Sequence, residues 1–518
     1  MSNRDLTKKI FIFASILLFL SSAIIPNTFS ESIKPDEEKN YEYSYEQLDT
    51  DYIYNITKSL SDIVFTEYNE SNGEIARGRA FGTKGEHKAA EILSENMSKL
   101  GLWTWNETIT NLPELPDVAS AVWINEYKIV VKNLTSGVNK TVDGYIFPSS
   151  KGPRGKCKKL DHVFNFTDLK IISRPENTIS SFKNLKDRLS GDYVFIGEVT
   201  SFNPDVEPYP IEKILQKIFG PYSDFTLFYK FVKKALDMDI WYYFYPRCRG
   251  LLAYDFSNDT YNMGNAHSSL PVISVNGTIG KEILSDIDNH RIDFYLDQTY
   301  KEEVESYNVI GQLNGTCKEK IVIIDCLYDG WWCQATADSA IGMAMTLGIA
   351  KWFKDNNVTP KYTIRFIGFG GEEHGYRGAK QYQAVHKDEN IIYVFDLNQL
   401  GFSQEEPELY LEFLGNNVRF LNDIFEIAKN ANYSKRTDYA GIRKFYMPRG
   451  APSDDQPFAR NQKNCKTVCF LKGYYWVLHH RDGLDHTVGD TMDYFDPEDV
   501  NVTGEIILNI VRYITTEW

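Results

Sequence analysis

The sequence predicts an α/β sandwich around a mixed, mostly parallel sheet, interrupted by a smaller β-rich module. Three observations carry this expectation. The chain has 518 residues, too many for one compact core. From Tyr307 onward, short apolar runs alternate with segments of helical periodicity. Between residues 115 and 300 that alternation gives way to β-like runs separated by Pro and Gly clusters.

Taken in order, residues 1–30 read as a signal peptide. Arg4, Lys8 and Lys9 precede an apolar run from Ile10 to Ile25, and Thr28 and Ser30 supply small residues for cleavage. The same run is near the lower limit for spanning a bilayer, so an uncleaved N-terminal anchor stays open. Both readings put the remainder outside the cytoplasm, secreted or anchored. Residues 31–49 are a polar leader. Residues 50–114 open the α/β domain. There, Ala90, Ile92, Leu93, Met97 and Leu100 recur at near-helical spacing, and Gly101 stands where a helix C′ glycine would.

Residues 115–300 form the expected insertion, with strands at VWINEYKIVVKNL, DYVFIGEV, RGLLAYDF and LPVISVNGT. The aromatic stretch 203–247 receives no assignment. Residues 301–518 form the main part of the α/β domain. Its expected strands are KIVIID (320–325), YTIRFIGF (362–369), IIYVFDLN (391–398) and TVCFL (467–471), with helices from Asp338 to Lys354 and near 416–431.

Composition excludes some functions. The formal net charge is −15 and no block of five or six basic residues occurs, so a nucleic-acid partner is not expected. Asn-x-Ser/Thr sequons run from Asn55 to Asn501. Their number, 13, exceeds the roughly four or five expected by chance and fits an exported glycoprotein. The 7 cysteines allow at most three disulfides and none has the spacing of a zinc knuckle.

Open α/β sheets bind ligands beyond the carboxyl ends of their strands. After KIVIID come Leu327, Tyr328 and Asp329, and the next helix opens at Asp338. After YTIRFIGF come Glu372 and Glu373. Asn398 follows the next strand, and His486 and Asp490 lie beyond TVCFL. Each alone is commonplace: an Asp at a helix start is usually a cap, and a Glu pair after a strand is usually solvated. Four strand ends delivering acids, an Asn and a His to one rim are hard to get by accident.

These segments resemble the zinc exopeptidase family of bacterial leucyl aminopeptidases, glutamate carboxypeptidase II, transferrin receptor and glutaminyl cyclase. The resemblance rests on LYD (327–329), TADSA (336–340), GEEHG (371–375), DLNQLG (396–401), PSDDQPF (452–458) and DHTVGDT (485–491). It covers residues 50–110 and 300–518. Residues 115–300 resemble, less sharply, the protease-associated domain that several members carry.

The resemblance implies zinc ligands at Asp338, Glu373 and His486, a general base at Glu372 and a catalytic acid at Asp329. It also implies a second zinc, held by a His and an Asp. Here those two positions are Leu327 and Asn398. Leu cannot bind zinc and Asn is a poorer ligand than carboxylate, so one ion is expected and the second site lost. Cys326 does not replace the missing His, since neighbours on a strand point to opposite faces. Asp485 stands where the family has an oxyanion-stabilising Tyr. Three readings follow. One is a one-zinc exopeptidase, foremost an aminopeptidase, acting on peptide or protein N-termini. Another is an inactive binding protein like the transferrin receptor. The third is an acyl-transfer enzyme like glutaminyl cyclase. Membrane contact is expected only if the N-terminal segment is uncleaved.

Overall fold

The computed structural model describes residues 46–63, 67–69, 73–76, 78–147, 162–173, 192–198, 248–254, 271–331, 333–402, 409–429, 439–473 and 486–517. The signal segment, most of the leader, the stretch 203–247, Cys157 and Asp485 lie outside them.

One eight-stranded sheet unites a strand before residue 115 with seven after residue 300. Its strands are β3 (Trp103–Thr108), β12 (Tyr307–Leu313), β13 (Cys317–Leu327), β14 (Tyr362–Phe369), β15 (Asn390–Leu397), β16 (Leu409–Gly415), β17 (Tyr439–Tyr446) and β18 (Lys466–Gly473). Across the sheet they run β17-β16-β18-β15-β13-β14-β12-β3. The central strands β18, β15, β13 and β14 are mutually parallel. β12 and β3 extend one side antiparallel, and β16 returns antiparallel beside β18. The sheet is thus mixed with a parallel centre, which aims four strand ends in one direction.

Helices cover both faces. α4 (Ile341–Asp355) is buried nearly all round and packs on β13, β14 and β15 and against α1 (Thr50–Ser61). Gly348 permits that approach, since a Cβ there would lie 3.0 Å from Ile53 Cδ1. α6 (Val418–Lys429) and α8 (Pro497–Arg512) join this layer. On the opposite face, Ile321 and Ile323 of β13 pack with Tyr382 and Ala379 of α5 (Arg377–Val385) and Phe458 of α7 (Gln456–Asn461). The period of two along β13 turns Val322, Ile324 and Cys326 the other way.

α2 (Lys84–Lys99) packs on β12 and β3. Its end is a Schellman turn: Gly101 N–H donates to Ser98 O (2.9 Å), Leu102 N–H to Met97 O (3.1 Å), and Gly101 has φ +71°. Glycine is required there because other residues resist that left-handed conformation.

The second eight-stranded sheet lies within residues 121–301. Its strands are β4 (Ala121–Asn133), β5 (Val138–Thr141), β6 (Gly144–Phe147), β7 (His162–Ser173), β8 (Tyr193–Glu198), β9 (Cys248–Tyr254), β10 (Val272–Val275) and β11 (His290–Lys301). They run β5-β4-β11-β7-β8-β9-β10-β6, with α3 (Gly277–Ser285) beside β9. A small hairpin, β1 (Glu67–Asn69) with β2 (Gly73–Ala76), precedes α2. The core of the second sheet is completed by Trp331, Cys333 and Ala335, from the loop after β13. Val488 also packs on it.

One expectation needs correcting. The helix after β13 starts at Ile341, not Asp338. Asp338 (φ −120°, ψ 79°) and Ser339 (φ −148°, ψ 50°) are non-helical, and the bond joining them is cis. The reason is competition for main-chain donors. Asp490 Oδ1 accepts Ala337 N–H at 2.7 Å and Oδ2 accepts Asp338 N–H at 3.1 Å, so the turn is held from outside the helix.

Candidate metal centre

Three side chains converge beyond the parallel strand ends. His486 Nε2 lies 3.0 Å from Asp338 Oδ2 and 3.1 Å from Glu373 Oε2. One ligand atom from each of the three lies within 4.8 Å of the others, and among the described residues no other group of His, Cys, Asp and Glu does this. Asp338 and Glu373 are buried, and His486 is nearly so. His486 takes a left-handed φ of +56° to reach them. A single imidazole nitrogen between two carboxylate oxygens marks a triangle that a cation fits. Two carboxylates and an imidazole are also a donor set that zinc accepts.

The Glu pair owes its aim to the turn after β14. Gly371 has φ +68°, and a Cβ there would lie 2.6 Å from the Phe81 ring. Gly375 N–H and Tyr376 N–H both donate to Glu372 O at 2.8 Å. Glu86 fixes the turn from α2. Its carboxylate accepts Gly82 N–H (2.6 Å) and Ser306 Oγ–H (2.8 Å), and also bonds the Gly371 main chain. Asp329 Oδ1 accepts Glu372 N–H at 3.0 Å. Trp331 closes one side, its ring 4.9 Å from that of His374 and 6.1 Å from that of His486.

The electrostatics are lopsided. Burial, then the charge of Glu373, Asp454, Asp338 and Asp329, pushes the Glu372 carboxyl well above the usual range. Burial, then Glu373, does the same to Asp329, against the Glu372 and Glu373 amides. Asp490 is pushed up to about 7, by burial first, with its bonds to Ala337 and Asp338 working against that. A pocket that holds this many carboxylates favours a divalent cation.

Residues 308–511 match the model of peptidase family M28. That segment is similar to the peptidase family M28. Carboxypeptidase Q of Xenopus laevis is 24% identical over 225 residues, covering 42% of this chain and 43% of that protein. The Rattus norvegicus protein of the same name is 25% identical over 234 residues, again 42% and 43%. The match thus spans less than half the length of these relatives. Among solved structures, a zinc aminopeptidase from Bacillus subtilis superposes with a TM-score of 0.58 at 17% identity, over 92% of this chain and 97% of that one. A peptidase M28 precursor from Shewanella amazonensis gives 0.57 at 14%, over 90% and 93%. At these identities the likeness is one of fold, an α/β sandwich around a mixed, mostly parallel sheet.

Within the matched segment the remaining predicted positions divide. Leu327 is fully buried at the end of β13. Asn398 donates from Nδ2 to Ser453 Oγ at 3.0 Å, and among the described residues its buried Oδ1 has no hydrogen-bond partner. Cys326 turns to the α4 side, where its thiol donates to Ser339 Oγ (3.3 Å).

Two features of the structure were not foreseen. Arg79 is fully enclosed and, among the described residues, hydrogen-bonds to main-chain carbonyls alone. Its signal is faint, since a lone Arg beside Gly78 and before a helix reads as surface. The second feature is a group of buried acids: Asp325, Asp396, Asp454 and Asp455. Among the described residues, Asp325 and Asp454 have no hydrogen-bond partner on either oxygen. Burial, then the charge of Asp396, Asp454 and Asp455, pushes the Asp325 carboxyl well up. The alternation along β13 and β15 carries the signal in retrospect, because Asp325 follows Ile321 and Ile323, and Asp396 follows Val394, on one buried face.

Proposed function

We propose that this protein is a zinc-dependent exopeptidase, foremost an aminopeptidase, that holds one zinc with Asp338, Glu373 and His486. The observation that carries the reading is the convergence of those three side chains at 3.0–3.1 Å beside Glu372, in a segment similar to peptidase family M28. Zinc, when bound, polarises a carbonyl oxygen and acidifies a water. With zinc held there, Glu372 would be the carboxylate placed to accept a proton from the attacking water and pass it to the leaving amine. Asp329 holds the Glu372 main chain, and so the side chain, in place. Glu373 and Glu372 are neighbours on one turn, and in this reading Glu373 serves as ligand and Glu372 as the proton carrier. The apolar Leu327 and the neutral Asn398 support one ion rather than two.

The N-terminal segment and the sequon excess support a site of action outside the cytoplasm. The β-rich sheet of residues 121–301 is assigned to a protease-associated module. Leu327 and Asn398 also support a second reading, a receptor-like protein that binds without turnover. Metal analysis of protein made in zinc-replete medium separates the outcomes, together with assays on aminoacyl-amides and on N-blocked peptides. One zinc and release of N-terminal residues is expected. Cleavage of N-blocked peptides from the C-terminus would move the assignment to carboxypeptidase, the activity named in the curated relatives. One zinc without turnover across a broad panel would leave the receptor-like reading.

A further inference from the structure

Arg79 has no part in the chemistry above, yet no charge near the centre is more enclosed, at 0% exposure. Among the described residues its guanidinium forms no ion pair. Its hydrogen bonds all end on main-chain carbonyls. Nε donates to Tyr328 O (2.8 Å), Nη1 to Gln334 O (2.7 Å) and Leu60 O (3.0 Å), and Nη2 to Ala335 O (2.9 Å). Burying a guanidinium is costly, and its planar fork of donors repays the cost where a geometry must be fixed.

Three of those carbonyls, of Tyr328, Gln334 and Ala335, bracket one loop, and the fourth, of Leu60, ties it to α1. Tyr328 immediately precedes Asp329, which accepts the Glu372 N–H. Gln334 and Ala335 immediately precede the turn that presents Asp338. Gly330 N–H returns a bond to Arg79 O at 3.2 Å. Gly78 seats the loop from the same side: a Cβ there would lie 2.1 Å from Cys333 O and 2.9 Å from Trp331 O. Residues 78 and 79 therefore form a cradle for the whole segment between the two acids. The positive charge also faces Asp490 and Asp329, the acids that hold Asp338 and Glu372.

We propose that Arg79 is a positioning residue of the metal centre: by clamping both ends of the 328–335 loop it sets the distance between the Asp329–Glu372 pair and the ligand Asp338. The inference rests on reading Asp338, Glu373 and His486 as a zinc site. It does not require that the protein be an enzyme.

The test uses the full chain with zinc affinity, measured by competition against a chromophoric chelator, and the visible spectrum of the Co²⁺-substituted protein. Arg79→Met removes charge and donors and is expected to weaken zinc about 10–100-fold, the range for partners that orient ligands. Arg79→Lys keeps the charge but not the fork. It is expected to fall between wild type and Arg79→Met, with an altered Co²⁺ spectrum. Should Arg79→Met fail to fold, Arg79→Lys carries the test. Gly78→Ala, which presses on the same loop with Arg79 intact, must then also weaken zinc. Wild-type affinity and spectrum in folded Arg79→Lys overturn the proposal. Wild-type protein that takes up no zinc overturns the zinc-site reading itself, and this inference with it; that result is distinct from a zinc-binding wild type with indifferent variants.

Discussion

Glu372 donates its main-chain N–H to Asp329 Oδ1 at 3.0 Å, a bond wholly inside the protein. It ties the acid after β13 to the acid after β14. Asp329→Ala removes the acceptor and leaves that buried N–H unpaired, which costs about 1–3 kcal/mol. Turnover is expected to fall by about 10–100-fold, the scale seen when an orienting partner is lost. Asp329→Asn keeps an acceptor oxygen and should recover part of it. Steady-state kinetics at equal zinc content reads this out.

Glu372→Gln preserves shape and removes the base. Hydrolysis of aminoacyl-amides is expected to drop by about 10²–10⁴-fold, with zinc content and thermal stability unchanged. Turnover retained by Glu372→Gln would mean that the side chain only braces the turn.

Lys472 of β18 and Asp499 of α8 form a buried ion pair at 3.0 Å, and Asp499 Oδ2 also accepts Gly401 N–H at 2.9 Å. Removing one partner strands the other charge out of water. Asp499→Ala is expected to destabilise by about 3–5 kcal/mol, measured by denaturant unfolding. The double variant Lys472→Met, Asp499→Leu should recover much of the loss.

Asp325 carries a pH-dependent penalty. A carboxyl whose folded pKa is raised costs nothing below its unfolded value of about 3.9 and subtracts stability as pH climbs toward the folded one. Asp325→Asn should therefore raise the melting temperature at pH 8 and change it little near pH 4. A pH-independent difference would show that packing, not charge, dominates there.

His386 works with the opposite sign. Burial opposes its charge, but Glu107 (3.1 Å) and Glu389 (3.3 Å) prevail and its pKa is pushed up to about 9. This stabilisation is full below the unfolded value of about 6.5 and is lost as pH rises through about 9. The melting-temperature gap between wild type and His386→Gln should be widest at pH 6 and shrink across that window.

The strands of the parallel centre were legible because each is a short apolar run ending in an acid or a Gly turn. YTIRFIGF is β14 residue for residue. Asp338, Glu373 and His486 could be picked out because acids and a His recur in the loops after the parallel strands, and the structure brings the three together. The start of α4 was not, since an Asp before an apolar helix reads as a cap; only the distant Asp490 reveals that its donors are taken. Arg79 and Asp325 were missed for a related reason. Their burial is imposed by segments far away in sequence, and local pattern has no record of it.

The loop after β13 serves two masters. Trp331, Cys333 and Ala335 fill the core of the second sheet while the same loop delivers Asp338 to the ligand triangle. Anyone trimming this chain to its catalytic half by excising residues 121–301 would uncover a Trp, a Cys and, through Val488, the stretch beside His486. The minimal active fragment is therefore expected to keep both sheets, because the core of the second is completed by the loop after β13.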